Sequence, residues 1–171
     1  SFVYVWDYAN YLLKQYDAEA AFAQSAGAGL AYIFGSMADD YTNFITLFTE
    51  FPFCLTSHTG DDYSFSQVFC ILPTLLVLLA GLVVKVGQIL NVKNWRYYFL
   101  FGMTLTAAYP FLRMSAVLAQ PDWFGLIFAF AILLLTLDLR FDKLEPVRFG
   151  LIFLATAAII LARRWFLYFV V

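Results

Sequence analysis

The chain has 171 residues, of which 63% are hydrophobic, 20% aromatic and 13% charged, with a formal net charge of −2. Soluble globular domains carry roughly 45–50% apolar and about 25% charged residues, so this composition excludes an ordinary soluble domain and reads as a membrane protein. The length then means several spanning helices and one sizeable loop, and no nucleic-acid partner is expected.

Residues 1–63 hold eight of the twelve acidic residues and a single basic one, Lys14. Two clusters of the form Asp-Tyr-x-Asn-aromatic stand in this segment, Asp7 in VWDYANY and Asp40 in DDYTNF. Tyr8, Tyr11, Leu12 and Phe22 suggest a first amphipathic helix, and SAGAG at 25–29 marks a bend. Phe44, Leu47, Phe48 and Phe51 recur at i, i+3, i+4 and i+7, which predicts a second helix that Pro52 stops. Helices of this kind lie in the plane of the membrane interface, apolar face down. Residues 1–63 are therefore expected to form a folded loop.

Residues 65–84 contain no charge, and twenty such residues match the roughly 30 Å of hydrocarbon that a helix must cross. A polar connector at 85–96 leads to an apolar run at 97–119, interrupted by Pro110 and Arg113. Two shorter apolar runs follow at 123–137 and 147–162, and another begins at Trp165. The expected fold is all-α, a polytopic helical membrane protein. Residues 64–171 supply about four spans, with a further one cut short. The chain begins at Ser1 and stops within WFLYFVV, which reads as a piece of a longer polytopic protein with a spanning helix ahead of FVYVWD. The two cysteines, Cys54 and Cys70, suggest no disulfide framework.

Basic residues in short connectors favour the cytoplasm. Lys85, Lys93 and Arg96 follow the first span, and Arg140, Lys143 and Arg148 follow the third. Both connectors are then inside, which places residues 1–63, the turn at Asp122 and the pair Arg163-Arg164 outside.

Several charges on that face read two ways. Asp7 is a helix N-cap or, flanked by Trp6 and Tyr8 at the lipid–water boundary, an acid within reach of a lipid headgroup. Ser36-x-x-Asp39 fits a capping box for the aromatic helix, yet Asp39 and Asp40 together exceed what a cap needs. One could face a ligand or a divalent cation such as Mg or Mn. Asp61-Asp62 reads as a cap and interface marker. Arg113 inside a span implies a polar partner, a water cavity or snorkelling, and Asp122 caps the next helix or joins the site. Arg163-Arg164 at an outer end runs against the positive-inside trend and invites an anion, which the guanidinium fork binds well. His58, the only histidine, has no partners for a metal cluster or triad and reads as solvated.

The ordered set of an acid in a Trp-Asp-Tyr context, a long outer loop with interfacial helices, the acid pair of DDYTNF and spans joined by short connectors resembles the polytopic GT-C glycosyltransferases. QPDWFGL and ARRWFLY are also similar to segments of bacterial proteins in that group. The resemblance implies an enzyme of a bacterial inner membrane that moves a sugar from a polyprenyl-phosphate carrier to a glycan, lipid or protein acceptor at the extracytoplasmic face. It implies Asp7 as the essential acid, with Asp40 or Asp39 as a second. Tyr8, Asp39, Arg113, Asp122, Arg163 and Arg164 are then the candidate substrate contacts. The chemistry agrees with the residue types: a carboxylate takes the acceptor's proton and positive charge steadies the departing phosphate. The rival readings are a transporter or channel, which predicts polar residues through the middle of several spans, and a noncatalytic assembly subunit.

Overall fold

The computed structural model describes residues 6–39, 42–108, 122–137, 139, 143 and 145–162, with backbone alone at Trp6, Asp7, Thr106 and Asp122. Every regular element among them is an α-helix: α1 (Trp6–Gln24), α2 (Ala26–Gly35), α3 (Thr46–Phe53), α4 (Gly60–Ile89), α5 (Trp95–Ala108), α6 (Asp122–Leu137) and α7 (Pro146–Ala162).

The expected bend at SAGAG narrows to one residue. Ser25 is extended (φ −171°) and its hydroxyl accepts from the Ala28 amide at 3.0 Å, so it caps α2 while the remaining AGAG is helical. Gly29 is needed where α2 folds back on α1, since a Cβ there would lie 2.2 Å from the Phe22 ring. Ser36 ends α2 by donating to Ile33 O at 2.9 Å and accepting from the Asn43 amide at 2.6 Å. The expected Ser36–Asp39 capping box is thereby corrected, because α3 starts only at Thr46, without a side-chain cap.

The helix α3 departs from expectation at its end. Pro52 does not stop it, for the helix continues to Phe53. Proline leaves the carbonyl four residues earlier without its donor, and here the Cys70 thiol of α4 donates to that Phe48 carbonyl at 3.1 Å. The periodicity also faces the opposite way from that of a soluble helix. Thr46 and Thr49 are fully buried, whereas Phe51 is 69% exposed. The Thr49 hydroxyl donates to Gln15 Oε1, and Gln15 Nε2 donates to Glu50 Oε2, so a short polar chain joins α3 to α1. On the other side Phe44 and Phe48 pack against Phe124 and Phe128 of α6.

A reciprocal capping box starts α4. The Asp62 carboxylate accepts from the Thr59 amide at 2.9 Å and from its hydroxyl at 2.7 Å, and the Thr59 hydroxyl accepts from the Asp62 amide. The helix runs for 30 residues, about 45 Å at 1.5 Å per residue. Among the described residues it alone is long and apolar enough to cross a membrane. Only 22% of its most apolar stretch is buried against the rest of the protein, with Phe65, Phe69 and Val77 facing outward. A Schellman turn ends it: Val92 N–H bonds to Gly87 O and Asn91 N–H to Gln88 O, with Asn91 at φ 56°. The chain returns as α5, which approaches closely at Gly102, where a Cβ would lie 3.3 Å from Ala80 Cα. Small residues permit such contact between helix backbones. The helices α6 and α7 pair with one another, and α6 packs against α4.

Candidate functional site

Most of the residues named from the sequence lie at or beyond the edge of the described structure. Asp40, Arg113, Arg163 and Arg164 fall outside the described residues, and Asp7 and Asp122 have described backbones only, in the first turns of α1 and α6. Asp39 is exposed after α2, its amide bonded to Ser36 O at 2.9 Å. Its charge reaches Lys14 of α1 and partly opposes the lowering of that ammonium by burial. Tyr8 is only 4% exposed. Its hydroxyl donates to Gly60 O, and its ring meets Tyr63 edge to face at 5.4 Å. The structure thus uses Tyr8 to fasten the first turn of α1 to the start of α4.

The sequence neighbours of the candidates nevertheless meet. Tyr8, Tyr63, Trp123 and Ala162 belong to one buried cluster, with Tyr11, Ile45 and Phe53 packed into it. Tyr8 follows Asp7, Trp123 follows Asp122, and Ala162 precedes Arg163. Thr42, two residues after Asp40, donates its hydroxyl to Leu161 O at the last turn of α7. The start of α1, the start of α4, the start of α6 and the end of α7 therefore share one end of the helix assembly. Four segments far apart in sequence converge there.

A second polar group sits lower on the loop. His58 has φ 62°, its carbonyl accepts from the Tyr16 hydroxyl at 2.7 Å, and its ring stacks on Phe53 at 5.3 Å. Its Nε2 lies 3.0 Å from Glu19 Oε1. Nearby, Glu50 borders a cleft of about 510 Å³ between α1 and α3 that is also lined by Glu19, Phe22, Leu47, Phe51 and Cys54. Burial raises the Glu50 carboxyl above its ordinary range; the Gln15 bond and His58 oppose this, and Glu19 adds to it. No periodic signal announces this group, because its members come from two different helices and a loop. The solvated reading of His58 did not foresee the Glu19 contact.

Among the described residues no three His, Cys, Asp or Glu side chains gather closely enough to hold a metal ion. Asp40, half of the acid pair proposed as cation ligands, lies outside those residues. No protein-family model, curated protein or solved structure matches the chain.

Proposed function

We propose that the chain is part of a polytopic membrane glycosyltransferase that moves a sugar from a polyprenyl-phosphate carrier to an acceptor hydroxyl at the extracytoplasmic face. The observation that carries this reading is the convergence at one end of the assembly of Tyr8, Thr42, Trp123 and Ala162. In sequence these residues flank Asp7, Asp40, Asp122 and Arg163. The lipid-facing character of α4 supports the membrane setting, since a soluble core helix of that length would be mostly buried. In this topology α4, α5, α6 and α7 alternate in direction, and the connectors bearing Lys93 and Lys143 face the cytoplasm.

The residue types support the following reaction. Asp7 accepts the proton of the acceptor hydroxyl as its oxygen attacks the anomeric carbon. The bond to the phosphate oxygen breaks, and the phosphate leaves with the electron pair, its charge met by Arg113 and by Arg163-Arg164. A single displacement of this kind inverts the anomeric configuration, as it does in inverting glycosidases.

The test is sugar transfer from a synthetic polyprenyl-phosphate sugar by reconstituted protein. Asp7→Asn is expected to lower turnover at least about a hundredfold, the scale of a lost general base, with normal membrane insertion. Asp62→Asn is expected to retain most of it. Equal activity of Asp7→Asn and the parent chain would refute the assignment.

A further inference from the structure

The far end of α4 carries a feature that sugar transfer does not use. Between Tyr63 and Pro121 the sequence has no acidic residue, yet Lys85, Lys93 and Arg96 cluster where α4 turns into α5. The turn is held firmly by the two Schellman bonds and by Asn94 at φ 71°, whose carbonyl accepts from Tyr97 N–H at 3.0 Å. A recess of about 590 Å³ opens there, lined by Asn94, Trp95, Arg96, Tyr97 and Leu100. The Arg96 guanidinium lies 5.7 Å from the centre of the Trp95 ring, so the indole holds the fork against the recess. Trp95 and Tyr97 are exposed, as are Leu100 and Phe101 one turn further along α5.

We propose that this recess binds the phosphate of an anionic phospholipid headgroup at the membrane face opposite the α1–α3 loop. The proposal rests on the spanning reading of α4 but not on glycosyl transfer. Charge complementarity selects the ligand: the Arg96 guanidinium, a planar fork suited to phosphate oxygens, lines the recess, and Lys93 adds a second positive charge three residues before it. The lining distinguishes a lipid from a free anion. A soluble phosphate gains nothing from Trp95, Tyr97 and Leu100, whereas a headgroup with its glycerol and first methylenes covers aromatic and apolar surface together.

The experiment reconstitutes the 171-residue chain into nanodiscs of phosphatidylcholine, with or without phosphatidylglycerol, and counts retained lipids by native mass spectrometry. Retention of phosphatidylglycerol over phosphatidylcholine is expected. In the double variant Lys93→Gln, Arg96→Gln it should fall roughly thirtyfold, the effect of two basic side chains at an anionic surface. Lys143→Gln on the other connector should leave it unchanged, and Arg96→Lys should give an intermediate loss. Equal retention by the double variant, an equal loss in Lys143→Gln, or displacement of the lipid by inorganic phosphate at matched concentration would overturn the proposal. A chain that enters no nanodisc would refute the spanning reading on which it rests, and sugar-transfer activity has no bearing on any of these outcomes.

Discussion

The Tyr8 hydroxyl donates to the Gly60 carbonyl, which ties the first turn of α1 to the first residue of α4 across 52 positions of sequence. That bond, with the Tyr63 ring packed edge-on against Tyr8, fixes where the backbone of Asp7 stands relative to the longest helix. Tyr8→Phe keeps the ring contact and removes the bond, so it should cost about 1 kcal/mol of stability. Tyr8→Ala also empties a buried aromatic site and should cost about 3–5 kcal/mol. Thermal unfolding in detergent measures both. Equal effects of the two variants would mean that the ring contributes nothing beyond the hydroxyl.

The contact between Cys70 and Phe48 O gives a second expectation. Cys70→Ser preserves a donor to the carbonyl that Pro52 leaves open and should be close to neutral. Cys70→Val removes the donor to an exposed carbonyl and should cost at most about 1 kcal/mol, the net worth of an ordinary hydrogen bond. Loss of stability in the serine variant alone would contradict this account.

Glu50 sets a pH dependence. Burial raises its carboxyl above the ordinary glutamate value of 4.5, so the folded state binds its proton more tightly than the unfolded chain does. The resulting stabilisation is fully present below that ordinary value and is lost as pH rises through the raised one. Glu50→Gln keeps an acceptor for Gln15 and removes the charge. It should therefore be the more stable form at neutral pH, by up to about 1 kcal/mol since the group is half exposed. The two proteins should converge near pH 4 and below. Unfolding midpoints across that range test the sign; a less stable Glu50→Gln at neutral pH would show that the carboxylate's hydrogen bond from Gln15 outweighs its burial.

Capping supplies a local test. Thr59→Ala removes the hydroxyl half of the box at the start of α4, while the Thr59 amide still donates to Asp62; it should cost about 1 kcal/mol, with faster amide exchange confined to the first turn. The Asp62 carboxyl is held below its ordinary range mainly by bonds from the Thr59 amide and hydroxyl. This support is present above the ordinary aspartate value of 3.8 and is lost as pH falls through the lowered one.

The sequence disclosed the helices where one physical signal dominated. Apolar runs located α6 and α7 to within one residue and the middle of α4, which extends five residues beyond its charge-free run at each end, and Asp62 joins the capping box whose N-cap is Thr59. Reading fell short where tertiary contacts decide. Phe44, Leu47, Phe48 and Phe51 announced an amphipathic helix, and Phe48 and Phe51 are exposed, but nothing in the pattern announced Thr46 and Thr49 as interior residues bonded to α1 and within α3. When the surroundings of a helix are themselves apolar, periodicity reports an amphipathic helix without reporting which face is inside. Gly29 read as part of a bend but lies inside α2, where it lets that helix close on α1, a contact that exists only once Phe22 is in place. The group of Glu19, Glu50 and His58 was invisible for the same reason: its members meet through tertiary folding alone.

The arrangement of the two ends about the bilayer is tested most directly by labelling with a membrane-impermeant maleimide. Cys54 is exposed at the end of α3, and Cys70→Ser leaves it as the sole thiol. A second protein carries Lys93→Cys with both native cysteines replaced by serine. Cys54 should react in intact spheroplasts, and position 93 only after the membrane is opened. Reaction of both positions from the same side in sealed cells would contradict the account, because the loop and the basic connector would then not lie across a membrane from one another.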